Sequence, residues 1–348
     1  MSDGNSVQSQ PALKPAPRDA RQVLVIRSGP LPAFLQALAP AKAIRAHHMQ
    51  ARITLLTVPE FAELAKACPF FDEVETDGKP GMDPSTLTKL VQRLRKAKYD
   101  IVYDLEGASD TSRLFQLLRP FPPKWSGPVD GAWHKFTPPN ASAMHPLDRY
   151  ALQLKEVGIG PPDGYPLGMA PLPDLSWVRS VLRNPPRLRP SHFGLTGPFI
   201  LISPGPMDKG EQRWSGKQYN ALARLISARG VTPVITGAQE ERGLGGEIAG
   251  SDGKAKNIVG RADLFQQVAL AEDCNFMVGD DTDAIHLSAA AGASLLVFLP
   301  RGADPYSKLP RSKAGAVFYT VDDFRALTPE EVDLALLNLG AYSTRAAP

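Results

Sequence analysis

The sequence predicts an α/β protein built from two Rossmann-like, doubly wound domains that face each other across a cleft. Three observations carry that expectation. Short branched apolar runs alternate with helical segments along most of the chain. The alternation stops at a proline-rich stretch and then starts again. The length, 348 residues, allows two domains of roughly 150 residues, each with its own core. Strand alternating with helix implies βαβ units and parallel sheets.

The elements follow in order. Residues 1–20 are rich in Pro, Ser and Ala with no apolar core, so they read as a disordered arm and not as a secretory signal. QVLVIR (22–27) is a buried strand bounded by Ser28, Gly29 and Pro30. Helix is expected over 34–47, strand over 52–58, helix over 60–67, strand over 72–75, helix over 85–97, strand over 100–105 and helix over 109–118. Residues 119–143 are poorly patterned, and a helix spans 145–157. Eight prolines between 161 and 190 then read as a semi-rigid interdomain connection, interrupted by a helix near 175–182. The second half has strands at 199–203, 232–236, 257–259, 275–278 and 294–299, with helices at 215–229, 240–249, 264–271, 281–291 and 330–339. The resulting division is an arm at 1–20, a domain at 21–165, a connection at 166–196, a second domain at 197–325, and a closing helix and tail at 326–348. In such sheets the ligand sits beyond the carboxyl ends of the strands, which places it in the cleft.

Composition narrows the function. Lys and Arg total 39 against 36 Asp and Glu, a net charge of +3. That balance is too even for bulk-charge binding of nucleic acid. Hydrophobic residues at 43% and charged residues at 22% exclude wholesale disorder. Two cysteines, Cys68 and Cys274, exclude a disulfide scaffold and a cysteine-built zinc site; both read as buried thiols. No run reaches the ~20 apolar residues of a membrane span, so a cytoplasmic protein is expected.

The richest segment is FMVGDDTDAIHLSAAAG (276–292), a strand followed by polar residues and an alanine-rich helix. Asp281 or Thr282 suits the N-cap, and a helix start beyond a strand end is an anion site. Thr282 and His286, four apart, share a helix face. The bland alternative is a capped helix with a buried histidine. A weaker one is Mg²⁺ held by Asp280, Asp281 and Asp283. SPGPMDKGEQRWSGKQY (203–219) is a strand end and a Gly/Pro loop carrying Lys209, Arg213 and Lys217, either phosphate-facing or simply solvated. RSGPLPAF (27–34) and TGAQEE (236–241) are further strand ends; neither is a dinucleotide fingerprint or a Walker loop.

Taken together these pieces resemble the family 9 glycosyltransferases, the bacterial ADP-heptose:lipopolysaccharide heptosyltransferases. The resemblance rests on VLVIRSGPLPAFLQALAPAKAIRAHH, RITLLTVPEFAELAKACPFFDEV, YDIVYDLEGASDTSRLFQLL, HPLDRYALQLKEVG, ILISPGPMDKGEQRWSGKQYNALARLI and VGDDTDAIHLSAAAG, and the last piece is the most specific. It implies the glycosyltransferase-B fold, with the nucleotide sugar on the C-terminal half and the acceptor on the N-terminal half. It implies an inverting transfer of a heptose-like sugar from an ADP-sugar to a lipopolysaccharide-core or related envelope glycan. The acceptor would be lipid-linked or core oligosaccharide at the inner face of the cytoplasmic membrane. No cofactor is implied; Mg²⁺ is compatible with the mechanism but not required. The donor site would comprise Ser203, Gly205, Gln212, Arg213, Glu240, Asp281, Thr282 and His286.

The departures are equally specific. Where the family turn carries its presumed general base, an aspartate, this chain has Ala33, which cannot take a proton. Gln212 replaces a basic residue, and Asp283 replaces a glycine. Asp104, Glu106 or Asp110 at the fourth strand end could substitute as base, although capping is the blander role for all three. The alternative function is therefore a catalytically impaired member that binds a nucleotide sugar or acts as a scaffold. On the transferase reading, Ala33 faces the 281–286 helix start across a gap wide enough for a sugar.

Overall fold

In a computed structural model, the chain is described over residues 15–77, 84–107, 109–205, 213–304 and 309–343. The N-terminal half runs β1 (Gln22–Ile26), α1 (Leu31–His47), β2 (Arg52–Leu56), α2 (Ala62–Ala67), β3 (Glu73–Glu75), α3 (Pro84–Ala97), β4 (Ile101–Asp104), α4 (Ser109–Leu117), β5 (Lys124–Gly127), β6 (His134–Lys135) and α5 (Pro146–Glu156). A short helix, α6 (Trp177–Val181), precedes the second half. There follow β7 (Phe199–Ser203), α7 (Gly216–Ala228), β8 (Thr232–Ile235), α8 (Arg242–Ala249), β9 (Lys256–Asn257), α9 (Leu264–Asp273), β10 (Phe276–Asp280), α10 (Asp283–Ala290), β11 (Leu295–Pro300), β12 (Ala316–Val321) and α11 (Pro329–Asn338).

Each half is a six-stranded sheet, ordered β3-β2-β1-β4-β5-β6 and β12-β11-β10-β7-β8-β9, with every pairing parallel. Strands covered on both faces read as near-continuous apolar runs, and β1, β4, β7 and β10 do, with polar residues only at their ends: Gln22 at the start of β1, and Asp104, Ser203 and Asp280 at the carboxyl ends of the others. The strand order reverses between β1 and β4, and again between β7 and β10. These reversals open a crevice at the carboxyl ends of each sheet.

Local chemistry sets the helix starts. Ser215, Asp263 and Thr328 begin α7, α9 and α11 as capping boxes with Gln218, Gln266 and Glu331. Helix α1 begins at Leu31, three residues before the expected start, because Pro32 is favourable in a first turn. Trp125 and Trp214 are fully buried and bring the largest apolar surfaces to their cores. Cys68 and Cys274 are buried free thiols, and burial pushes the Cys68 thiol up to about 12.

Three features differ from the sequence expectation. The expected arm at 1–20 is packed from Ala16 onward: Ala16 and Ala20 are buried, and the Ala16 N–H donates to the Val157 carbonyl. Residues 119–143 contain β5 and β6, too short to show alternation. The proline-rich connection is not a solvated spacer. Trp177, Val178 and Leu188 are buried in the first core, and Arg179 and Arg187 pair with Asp273 and Asp263 of the second half at 2.6 Å each.

One apolar cluster joins the halves. It includes Phe34, Leu35 and Leu38 of α1 together with Val268 of α9 and Leu287 and Ala290 of α10. Polar contacts reinforce it. The Arg311 guanidinium donates to both Asp148 oxygens at 3.0 and 2.6 Å, and His145 Nε2 lies 2.9 Å from the Leu309 carbonyl.

Candidate functional site

The C-terminal crevice is built where β7 and β10 end side by side. Gly279 pairs with Ser203 across these strands, and a Cβ on Gly279 would overlap the Ser203 carbonyl. Only glycine permits that approach. The two strand ends therefore meet closely, and the Ser203 and Thr282 hydroxyls share a hydrogen bond of 2.8 Å. Behind them Asp280 is buried and accepts from the Gly205 N–H at 2.7 Å and the Tyr219 hydroxyl at 2.8 Å. This carboxylate fixes the first turn of the loop that leaves β7.

Thr282 is the N-cap of α10, accepting from the Ile285 N–H at 3.4 Å. Asp281 is thereby released from capping, and its Oδ1 lies 2.9 Å from His286 Nε2. The imidazole is nearly buried and the carboxylate open to solvent, at 10% and 40% side-chain exposure. A hydroxyl pair, an oriented imidazole and the free N–H groups of a helix start thus meet at one strand end. That arrangement suits a bound anion.

Arg213 precedes α7 and lies near Tyr219 and Glu241. Its neighbour Trp214 is the anchor: the indole N–H donates to the Leu327 carbonyl at 2.9 Å, and its ring packs on Tyr219 and Phe298. The Arg213 Nη1 donates to the Trp214 carbonyl at 3.3 Å, while its buried Nε has no hydrogen-bond partner among the described residues. Glu241 is half-buried, accepts the Ala238 N–H at 2.9 Å, and is held above the usual carboxylate range by burial and then by repulsion from Glu240 and Asp283. Glu240 is exposed, so the inward-turned acid at this strand end is its neighbour, which the sequence reading did not select. Asp283 and Lys217 are exposed. Asp280, Asp281 and Asp283 do not converge: the first turns to Gly205 and Tyr219, the second to His286, the third to solvent. Gln212 and Lys209 lie outside the described residues.

The N-terminal crevice is quieter. Arg27 donates to the Leu105 carbonyl at 2.7 Å, and the Ser28 N–H donates to Glu106 at 2.7 Å. Asp104 is 1% exposed and its oxygens accept from the Glu106 and Gly107 N–H groups and the Trp125 indole. Burial raises its pKa against those bonds. Both carboxylates thus brace the turns that follow β4 and β1. Asp110 is in α4, but its side chain lies outside the described residues. Ala33, half-buried, lies in the first turn of α1. The turn that carries Ala33 comes close to the α10 helix start through its neighbours. Pro32, Leu35 and Gln36 enclose only a narrow space with His145, His286 and Arg311. Beside that space, α1 and α10 share the apolar cluster that joins the halves. His145 is held by Leu147 and Leu309, and burial lowers its pKa to about 4, so it is neutral and committed.

The profile of glycosyltransferase family 9 (heptosyltransferase) matches residues 170–298, which contain Ser203, Arg213 and the 281–286 helix start. Over that segment the chain is similar to the family 9 glycosyltransferases. A curated relative, a lipooligosaccharide heptosyltransferase 2 of Haemophilus ducreyi, is 27% identical over 131 residues, covering 36% of this chain and 38% of the relative. The matched segments span 38% and 22% of the two curated relatives, well under their full lengths. Among solved structures, a family 9 glycosyl transferase from Veillonella parvula superposes with a TM-score of 0.75 at 17% identity, covering 92% of this chain and 97% of that one. The E. coli heptosyltransferase WaaC, solved with ADP-2-deoxy-2-fluoro heptose, superposes with a TM-score of 0.70 at 15% identity, covering 91% and 99%. These likenesses show that the chain has the two-sheet glycosyltransferase-B type of fold. Among the described residues no helix is long and apolar enough to cross a membrane.

Proposed function

We propose that this chain transfers a heptose-like sugar, with inversion, from an ADP-sugar to a lipopolysaccharide-core or related envelope-glycan acceptor. The observation that carries the reading is the meeting of Ser203, Thr282 and the Asp281–His286 pair at the switch point between β7 and β10. A diphosphate placed there would receive N–H groups from α10, and Arg213 is the cation assigned to it on this reading. In the reaction the acceptor hydroxyl oxygen bonds to the anomeric carbon, and the bond from that carbon to the diphosphate breaks on the opposite face. ADP leaves with the electron pair, and the acceptor proton passes to a base. The ligand named for the E. coli structure, an ADP-heptose analogue, and the name of the Haemophilus ducreyi relative support the donor and acceptor classes. The acceptor would be lipid-linked or core oligosaccharide, reached by a cytoplasmic protein peripheral to the inner membrane face.

A second reading has a specific observation behind it. Ala33 carries no proton acceptor, and Asp104 is locked inside its turn. A chain lacking its base loses typically 10²–10⁴-fold in rate, which leaves a nucleotide-sugar-binding or scaffolding protein. Calorimetry with ADP, followed by turnover assays with ADP-heptose and a core acceptor, separates the two. On either reading, His286→Ala and Arg213→Ala each weaken ADP binding by about tenfold, roughly 1.4 kcal/mol. Unchanged affinity in both overturns the site. Ala33→Asp raises turnover if a base was lost at that turn. Wild-type turnover abolished by Asp110→Asn would show instead that the base has moved.

A further inference from the structure

The largest cavity among those described lies away from both crevices, at the amino ends of β4 and β5. Its volume is about 570 Å³, within the ~300–1,000 Å³ of small-molecule sites. Leu24, Leu94, Tyr99, Val102 and Leu118 form its floor, all belonging to the core between this sheet and helices α3 and α4. The segment Arg119-Pro120-Phe121-Pro122-Pro123 forms one wall. Four consecutive positions of this wall, 120–123, thus carry a proline or the Phe121 ring, and Phe121 is 91% exposed. A large aromatic left in water beside a cavity has no role in the chain's own core.

The rim has one sign of charge. Arg95, Lys98 and Arg119 line the mouth and are exposed, and none enters an ion pair among the described residues. Arg95 is positioned by bonds to the Leu117 and Arg119 carbonyls, at 2.7 and 3.2 Å, which tie the wall segment to α3. The guanidinium of Arg119 lies over the Phe115 ring. Asp100, one residue after Tyr99, is turned to the Arg21 and Gln22 N–H groups. An apolar floor under a cationic mouth matches a ligand with an apolar body and an anionic head.

We propose that this cavity binds one single-chain anionic amphiphile, its headgroup at Lys98, Arg119 and Arg95 and its apolar body against Tyr99, Leu118 and Phe121. The site is separate from the crevices at the carboxyl strand ends and does not rest on the transferase reading. Calorimetry of the full chain with dodecyl phosphate, kept below its micelle-forming concentration, gives saturable binding with one molecule per chain. Inorganic phosphate does not compete. The double variant Lys98→Glu/Arg119→Glu, with an unchanged far-ultraviolet dichroism spectrum, binds at least tenfold more weakly, and Phe121→Ser weakens binding independently. A stoichiometry well above one, equal binding by the double variant, or displacement by inorganic phosphate overturns the proposal. Binding to phosphatidylglycerol vesicles without binding of the monomeric amphiphile also overturns it, because the face would then dock on a membrane instead of holding one molecule.

Discussion

Removing Arg311 tests how the two halves are held. Its guanidinium grips both oxygens of Asp148 on α5, at 3.0 and 2.6 Å, and the Asp148 side chain is 7% exposed. The same carboxylate also accepts from the Gly168 N–H at 3.2 Å. Breaking a buried pair from one side costs about 3–5 kcal/mol, because the remaining charge is left unpaired. Two features lower that figure: Arg311 is 23% exposed, and Gly168 stays with the carboxylate. Arg311→Ala should therefore cost about 2–3 kcal/mol at pH 7. The pH dependence identifies the cause. Arg311, with the Gly168 bond, holds the Asp148 pKa below the ordinary carboxylate value against the opposing effect of burial. A lowered folded pKa gives stability that is present above the unfolded value and lost as pH falls through the folded one. The difference between wild type and Arg311→Ala should accordingly shrink as pH drops below about 4. Thermal unfolding followed by tryptophan fluorescence from pH 7 to pH 3 measures it. A difference that stays constant over that range would refute the electrostatic account and leave only lost packing.

Further predictions follow from the second half and the connection. Gly279→Ala forces β10 away from the Ser203 carbonyl; a loss of at least about 2 kcal/mol is expected, read as a lowered melting temperature together with weakened ADP binding. Tyr219→Phe removes the hydroxyl donor 2.8 Å from buried Asp280 and should cost about 1.5–3 kcal/mol by chemical denaturation; no change would show that the carboxylate is held without it. Glu272 is raised to about 7 by burial, against the pull of Arg179 and with repulsion from Asp273 and Asp174. An acid whose pKa is raised by folding costs stability as pH climbs from about 4.5 towards 7. Glu272→Gln should flatten the stability profile over that window, and an unaltered slope would count against it.

The sequence made β7 legible to the residue, because FILIS is a short branched run closed by Ser203 and a Pro-Gly turn. The start of α10 was legible as a choice between Asp281 and Thr282. What decides it is Ser203, 79 positions away, which engages the Thr282 hydroxyl and frees Asp281 for His286. No local pattern encodes that contact. Glu241 was passed over for Glu240 because adjacent acids look alike until the 3-10 turn at Gln239–Glu241 points one inward. Strand β12, AVFYTV, was left unassigned although its β-branched and aromatic residues are a strand signal. The narrow space beside Ala33 was unreadable for a different reason: it depends on how two halves dock, and a chain's periodicity describes each half only on its own.

That docking restricts how the molecule can move. The cluster shared by α1, α9 and α10 makes part of the seam between the halves a continuation of the core. Swinging the halves apart would bring Leu35, Leu287 and Ala290 into water, at roughly 25 cal/mol for each Å² uncovered. Sliding α10 along α1 keeps those side chains covered while changing which residues of the Pro32 turn stand opposite His286. Access to the crevice is thus expected by shear between packed helices, with small displacements and little change in overall dimensions, in place of a wide hinge opening.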